Sequence, residues 1–118
     1  MKTLVIGASP EPSRYAYQAV NMLNRYGHEV IAFGKQKGKI GETEIETSWN
    51  PNWEVDTVTL YINPRVQHDF YDKILALQPR RIIFNPGTEN NDFYAMLESH
   101  GIEHEVACTL VMLSVGEY

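Results

Sequence analysis

The sequence contains a single cysteine, Cys108, and no long apolar run. One cysteine cannot form an internal disulfide, which favours a cytoplasmic location. No apolar stretch approaches the roughly 18 residues that a membrane-spanning helix needs. The first apolar stretch is also too short for the core of a secretion signal. We therefore expect a cytoplasmic protein without a membrane partner.

Basic residues are scarce as well. The chain has 10 Lys and Arg against 15 Asp and Glu, so its formal net charge is −5. Nucleic-acid binders need clustered Lys and Arg for phosphate contacts, so this balance predicts that nucleic acid is not a partner. Hydrophobic residues make up 43% of the chain, which excludes wholesale disorder. A length of 118 residues suits one domain over residues 1–118.

Short β-rich runs alternate with helix-like segments along the chain. The apolar pattern predicts strands at residues 3–6, 29–33, 56–62, 81–84 and 102–107. It predicts helices at residues 14–26, 64–77, 91–100 and 109–115. In the first helix, the apolar residues recur at one face of a 3.6-residue period. Ser13 is the expected N-cap of this helix, and Gly27 is expected to end it.

Strands that alternate with helices need crossover connections, which produce parallel sheets. The continuous apolar runs at residues 3–6 and 81–84 are typical of such sheets, because both faces are buried. We predict an α/β fold of three layers: a Rossmann-like, doubly wound domain with a mainly parallel, five-stranded sheet. Residues 34–55 lack a helical period and are predicted to form a loop with a short edge strand at residues 44–47.

In an open parallel sheet, ligands bind beyond the carboxyl ends of the strands, where the strand order reverses. Four segments follow predicted strands and are rich in Gly, Pro, Asn and small hydroxyls: residues 7–10, 34–35, 63–64 and 85–88. Such residues let ligand atoms approach the backbone closely. The same composition is typical of ordinary turns, so a purely structural role stays open for each segment.

The first of these segments offers groups that bind anions. Gly7, Ala8 and Ser9 precede Ser13 and Arg14 at a predicted helix start. Together they would supply backbone N–H groups, two hydroxyls and a guanidinium. The dinucleotide fingerprint G-x-G-x-x-G is absent, because positions 9 and 12 do not carry glycine. The alternative is a capped helix after a rigid turn.

The second strand ends in lysines where an NAD-binding domain usually has an acidic residue. Lys35, Lys37 and Lys39 follow the strand, which places three lysines in five residues. They favour a ligand with a phosphate on its ribose, such as coenzyme A or NADP, over NAD. A solvated basic loop is the competing interpretation.

Several motifs occur in a defined order along residues 2 to about 112: Gly7-Ala8-Ser9, Pro12-Ser13-Arg14, Gly27-His28-Glu29-Val30, Thr59-Leu60-Tyr61 before Asn63-Pro64, and Phe84-Asn85-Pro86-Gly87. This set resembles the bacterial CoA-binding domain proteins, the stand-alone relatives of the N-terminal domain of the succinyl-CoA synthetase alpha subunit. The resemblance implies that coenzyme A or an acyl-CoA lies across the strand ends. Its phosphates would meet the first turn, and Lys35 would lie near the ribose phosphate.

The remaining residues that the resemblance implies would border the adenine or pantetheine path: Asn63, Pro64, Asn85, Pro86 and Gly87. The synthetase domains that supply chemistry have no counterpart here. We therefore expect a binder of a small nucleotide ligand without catalysis of its own. An NADP-linked redox module and a regulatory or scaffold subunit of a larger complex are the alternatives.

Other residues with chemical potential leave alternatives open. Cys108 precedes a predicted helix, where a thiolate is stabilised, but a small buried hydrophobe is the simpler interpretation. His100 and His104 have helical spacing, but Gly101 interrupts the helix, so no metal site is predicted.

Aromatic and apolar segments raise questions of packing. Trp49 and Trp53 either anchor the irregular insert to the sheet edge, or fold over a ligand or second subunit. Tyr15 and Tyr17 are expected to be half-buried. The apolar segment 108–115 must be covered by the domain or by a symmetric partner, which would make a homodimer.

Overall fold

Seven strands form a mostly parallel sheet in the computed structural model, which describes residues 2–118. The strands are β1 (Lys2–Ile6), β2 (Glu29–Phe33), β3 (Lys39–Ile40), β4 (Thr43–Glu46), β5 (Thr57–Leu60), β6 (Arg81–Phe84) and β7 (Glu103–Val106). Their order across the sheet is β3-β4-β2-β1-β5-β6-β7. The pair β3–β4 is antiparallel, and the other neighbours are parallel.

Helices cover both faces of this sheet. They are α1 (Tyr15–Arg25), α2 (Pro64–Gln67), α3 (Tyr71–Leu77), α4 (Asn91–Ser99) and α5 (Thr109–Ser114). Side chains of β1 alternate between two cores. Leu4 and Ile6 pack with residues of α3 and α4, whereas Val5 packs with residues of α1 and α5. The result is three layers, helix on sheet on helix, with β1 buried on both sides.

The predicted five-stranded sheet is wrong in strand number. Residues 34–55, predicted to be mainly a loop, contain a hairpin of β3 and β4, and β4 pairs with β2. The predicted edge strand exists, one residue earlier than expected. Ile40 and Ile45 are buried in the same core as α1, which gives this short hairpin an apolar anchor. The sheet therefore has two strands more than the predicted five, the expected edge strand β4 and the unforeseen β3.

Two local predictions for the helices also differ from the structure. A 3-10 turn at His68–Phe70 interrupts the helix predicted over residues 64–77. Ser13 is not the N-cap of α1. Arg14 takes that position, because its backbone is extended and the helix begins one residue later, at Tyr15.

The strand order places a reversal between β1 and β5. From β1 the chain builds β2, β3 and β4 on one side, and it then returns to build β5, β6 and β7 on the other. The carboxyl ends of the parallel strands meet at one edge, so the loops after β1 and β5 diverge from a common point. In the part of the chain that the structure describes, no helix is long and apolar enough to cross a bilayer.

Candidate functional site

A cleft of about 610 Å³ opens at the carboxyl ends of β1, β2, β5 and β6. We call it the strand-tip cleft. Its walls are residues 6–9, 14–16, 33–36, 61–63 and 86–88, together with Thr47, Val66 and Phe70. It lies where the strand order reverses, which is the usual position of ligands in open α/β sheets. Its volume falls within the range of small-molecule sites.

Most of the residues proposed from the sequence lie together in this cleft. Those that line it are Gly7, Ala8, Ser9, Arg14, Lys35, Asn63, Pro86 and Gly87. Ser13 and Pro64 are exposed and adjoin lining residues without lining the cleft themselves. Asn85 is buried and also lies outside the lining.

The protein itself uses two N–H groups of the first turn. Gly7 and Ala8 both donate to the carbonyl oxygen of Phe33 at 2.9 Å, which ties the end of β1 to the end of β2. Gly7 has a φ of 101°, and a Cβ there would lie 2.8 Å from the carbonyl oxygen of Tyr61, so this position requires glycine. The donors that remain for an anion at this end of the cleft are the hydroxyl of Ser9, which accepts the N–H of Glu11, and the groups at the start of α1.

The start of α1 has the properties of an anion site. Arg14 occupies the N-cap position in an extended conformation, and its side chain makes no capping hydrogen bond. The first N–H groups of a helix have no intrahelical acceptor and carry the positive end of the helix dipole. Arg14, Tyr15 and Ala16 line the cleft, so an anion bound there would lie close to these groups.

Two cationic side chains line the cleft within residues 2–118, Arg14 and Lys35. Both are exposed. The Nε atom of Arg14 lies 3.2 Å from Oε2 of Glu11, a surface ion pair of the kind worth about 1 kcal/mol or less. Arg14 can therefore exchange this carboxylate for a phosphate at little cost. Lys37 and Lys39 are exposed outside the lining, so of the three lysines only Lys35 reaches the cleft.

The ends of β1 and β2 approach each other unusually closely at Gly34. A Cβ at this position would lie 2.1 Å from the carbonyl oxygen of Ala8. The N–H of Gly34 donates to the carbonyl of Glu46 at 3.0 Å, which links the same point to β4. Glycine at position 34 therefore sets the distance between the two loops that carry the first turn and Lys35.

Asn85 supports the cleft from below. Its Nδ2 donates to Oγ1 of Thr59 at 2.6 Å and to the carbonyl of Leu60 at 2.8 Å, and its Oδ1 accepts the N–H of Thr109 at 2.8 Å. The hydroxyls of Thr59 and Thr109 are also hydrogen-bonded to each other at 2.8 Å. The side chain of Asn85 is thus fully engaged with β5 and the start of α5, which leaves it in a supporting position.

Gln67 is a site-forming residue that the sequence did not reveal. It is fully buried, and its Nε2 donates to the carbonyls of Ile62 and Thr88 at 2.8 Å each. Both carbonyls belong to residues that line the cleft. A buried amide at the end of a four-residue helix leaves no distinctive pattern, because its partners are distant in sequence.

An aromatic cluster adjoins the cleft beside β2. The rings of Trp49 and Trp53 lie 5.1 Å apart, and the ring of Phe33 lies 5.2 Å and 5.9 Å from them. Phe70 joins the cluster at 5.6 Å from Phe33. Both tryptophans are half-buried against the core, so they anchor the insert, as one of the two hypotheses predicted. Phe33 and Phe70 also line the cleft, which gives one wall an aromatic surface.

Tyrosines lie at the floor and at the rim of the cleft. Burial raises the pKa of the Tyr61 phenol well above its usual value, although the nearby hydroxyls of Thr109 and Thr59 oppose the rise. Tyr61 therefore stays neutral at physiological pH. Tyr15 is 71% exposed at the rim and is not half-buried as predicted, whereas Tyr17 is.

The other candidate groups lie away from the lining. Cys108 is half-buried at the N-cap of α5. Residues 2–118 contain no cluster of three or more His, Cys, Asp or Glu side chains that could hold a metal ion. In α5, Met112 and Leu113 are buried by the domain, but Val111 and Val115 are more than half exposed. The domain therefore covers only part of this apolar segment.

Comparisons with known proteins identify relatives over nearly the whole chain. A family model described as a CoA binding domain matches residues 1–114. An uncharacterised protein of known crystal structure is 50% identical, with a TM-score of 0.95, over 99% of this chain and 97% of that chain. No curated protein matches the chain significantly.

More distant structures share the fold alone. A protein from Thermus thermophilus is 24% identical, with a TM-score of 0.86, over 99% of this chain and 90% of that chain. A hypothetical protein from Pyrococcus horikoshii OT3 is 18% identical, with a TM-score of 0.85, over 96% of this chain and 81% of that chain. The three-layer arrangement thus persists where little sequence identity remains.

Proposed function

The chain belongs to the CoA binding domain family, and from this premise we propose that it binds coenzyme A or an acyl-CoA in the strand-tip cleft. The doubly wound, Rossmann-like order of the sheet supports this assignment, since the cleft lies between β1 and β5 at the reversal point. An elongated nucleotide can lie across the four strand ends that border it.

The observation that carries the proposal is the arrangement of positive groups around the cleft. The uncapped start of α1 and Arg14 suit the diphosphate of coenzyme A. Lys35, at the end of the adjacent strand β2, suits the phosphate on the ribose. Glycines at positions 7 and 34 let the two loops pack closely enough to bring these groups to one ligand.

We further propose that the chain binds its ligand without transforming it. In the part of the chain that the structure describes, the cleft lining contains no histidine, cysteine or carboxylate. Histidines and carboxylates are the usual bases that activate a serine nucleophile, so the lining gives Ser9 no such base. Burial raises the pKa of the Tyr61 phenol, which makes it a still weaker acid than an exposed tyrosine.

Lys35 would suit the ribose phosphate of NADP as well, so NADP is the competing ligand. Calorimetric titration with coenzyme A, acetyl-CoA, NADP and NAD tests the proposal directly. We expect coenzyme A or acetyl-CoA to bind at micromolar concentration or below, more tightly than either dinucleotide. Tighter binding of NADP would replace the proposal with a redox module, and no binding of any of the four would refute a ligand role.

A second experiment identifies the natural ligand. Protein purified rapidly from its own cells is denatured, and the released small molecules are measured by mass spectrometry. Coenzyme A or one acyl-CoA, in near-stoichiometric amount, is the expected result. A released dinucleotide would contradict the proposal.

A further inference from the structure

Gln67 joins the two loops that form the far wall of the cleft. It is the last residue of α2 and is fully buried. Its Nε2 donates at 2.8 Å both to Ile62, in the loop after β5, and to Thr88, in the loop after β6. The strands that these loops follow pair only up to Leu60 and Phe84, where the side chain of Asn85 also donates to the carbonyl of Leu60. One side chain therefore bridges the two loops beyond the end of the ladder.

The orientation of the Gln67 amide is fixed by its neighbour Asn90. The Nδ2 of Asn90 donates to Oε1 of Gln67 at 2.8 Å. The Oδ1 of Asn90 accepts the N–H of Phe93 at 3.1 Å and caps α4. Because the Oδ1 of Asn90 is used by Phe93, Asn90 offers its Nδ2 to Gln67. The Oε1 of Gln67 therefore faces Asn90, and its Nε2 faces the carbonyls of Ile62 and Thr88. Gln67, Thr88 and Asn90 are buried and Ile62 is half-buried, and a buried amide is stabilising only when each of its polar groups has a partner.

We propose that Gln67 is a positioning residue that sets the distance between the β5 and β6 loops, and so selects for the pantetheine half of the ligand. This inference rests on the proposed function. If the phosphates lie at the start of α1 and at Lys35, the nucleotide half occupies the β1 and β2 side of the cleft. The pantetheine half then extends past Ile62 and Thr88, whose positions Gln67 fixes.

The test separates the two halves of the ligand. Wild-type protein and the Gln67→Met variant are titrated with coenzyme A and with adenosine 3′,5′-bisphosphate, which is its nucleotide half. Methionine keeps the length of the side chain but donates no hydrogen bond. We expect the affinity for coenzyme A to fall by about tenfold and that for the bisphosphate to change by less than about twofold. A merely structural role would change both affinities alike or neither, and either result would overturn the proposal.

Thr3→Val is the matched control. Thr3 is as fully buried as Gln67, and its hydroxyl is hydrogen-bonded to that of Tyr118 at the opposite end of β1. This variant also removes a hydrogen bond made by a fully buried side chain, but far from the cleft. Both affinities should stay within about twofold of those of the wild type. A selective loss for coenzyme A in Thr3→Val would overturn the proposal, because any lost buried bond would then act in the same way.

A second variant keeps the proposal testable if Gln67→Met does not fold. Asn90→Asp retains an acceptor for the N–H of Phe93 but cannot donate to Gln67. The Gln67 amide would then turn its Nε2 toward the new carboxylate and its oxygen toward the carbonyls, which breaks the bridge. We expect the same selective loss for coenzyme A, and wild-type affinity in Asn90→Asp would refute the inference. Failure of the wild-type protein to bind coenzyme A is a separate result, which refutes the proposed function instead.

Discussion

Replacing Gly34 with alanine should force apart the loops that follow β1 and β2. The added Cβ would lie 2.1 Å from the carbonyl oxygen of Ala8 and 3.0 Å from its carbonyl carbon. An ordinary contact between such atoms needs about 3.5 Å, so the two backbones must separate by more than about 1 Å. The two atoms of Ala8 that the new Cβ would meet are backbone atoms, so no side-chain rotation can relieve the clash.

The loss in the free energy of unfolding depends on the hydrogen bonds that join the loops after β1 and β2 to their neighbours. Gly7 and Ala8 donate to Phe33 at 2.9 Å, and Gly34 donates to Glu46 at 3.0 Å. Overpacking alone costs about 1–3 kcal/mol. Weakening one or two of these hydrogen bonds adds about 1 kcal/mol each. We expect Gly34→Ala to lower the free energy of unfolding by about 3 kcal/mol, and to weaken coenzyme A binding, because the first turn moves away from Lys35.

Urea unfolding and calorimetry measure the two effects. Gly87→Ala serves as the control, because Gly87 also lines the cleft but has open space around a Cβ and a φ of 91°. Its cost is confined to backbone strain of about 1–2 kcal/mol. If Gly34→Ala were no more destabilising than Gly87→Ala, the close approach of Gly34 to the carbonyl of Ala8 could not be the cause of the loss.

Three further predictions concern single residues. Lys35→Ala should lower the affinity for coenzyme A by about tenfold and leave dephospho-CoA within about twofold, whereas Lys37→Ala, outside the cleft, should affect neither. Equal losses for the two ligands in calorimetry would exclude Lys35 from the ribose phosphate. Hydrogen bonds from Arg80 hold the pKa of the Asp56 carboxyl below its usual value. The ionised carboxylate therefore stabilises the fold fully when the pH is above that usual pKa. This contribution is lost as the pH falls through the lowered pKa of the folded protein. Urea unfolding should show Asp56→Asn to be less stable than the wild type at neutral pH, with the difference closing below about pH 4; a difference independent of pH would contradict this. Asn85→Ala should cost about 3 kcal/mol in thermal or urea unfolding, because it leaves buried backbone groups without partners. A loss below about 1 kcal/mol would show that water or a neighbour replaces them.

The central elements of the fold could be predicted because their sequence signals are local. The strands β1 and β6 contain the apolar runs Leu4–Ile6 and Ile82–Phe84, and every residue of both runs is buried. The apolar stripe of α1 is also buried as its period predicts. Parallel pairing then follows from the alternation of strands with helices.

The insert escaped prediction because its strands are short and depend on distant contacts. β3 has two residues, and no period can be seen in so short a segment. Its hairpin is held by Ile40 and Ile45 in the core and by pairing of β4 with β2. Those contacts appear only once the sheet exists, so the sequence suggested an edge strand but not its hairpin.

The grouping of residues in the candidate site could be predicted more readily than the contacts that each of them makes. Strand ends in a parallel sheet meet at one edge, which brought Gly7, Lys35 and Asn63 into one cleft. The sequence did not reveal that the N–H groups of Gly7 and Ala8 are already bonded within the protein. It also gave no sign of Gln67, because the meaning of a buried amide depends on partners about five and twenty-one residues away.

The aromatic cluster beside β2 provides the protein with its own optical reporter. Trp49 and Trp53 are the two tryptophans of the chain, and both pack on Phe33, whose ring also borders the cleft. Indole emission responds to the polarity and packing of its surroundings. A ligand that covers or shifts the Phe33 ring should therefore change the intrinsic fluorescence of unlabelled protein, so that occupancy can be followed at concentrations too low for calorimetry.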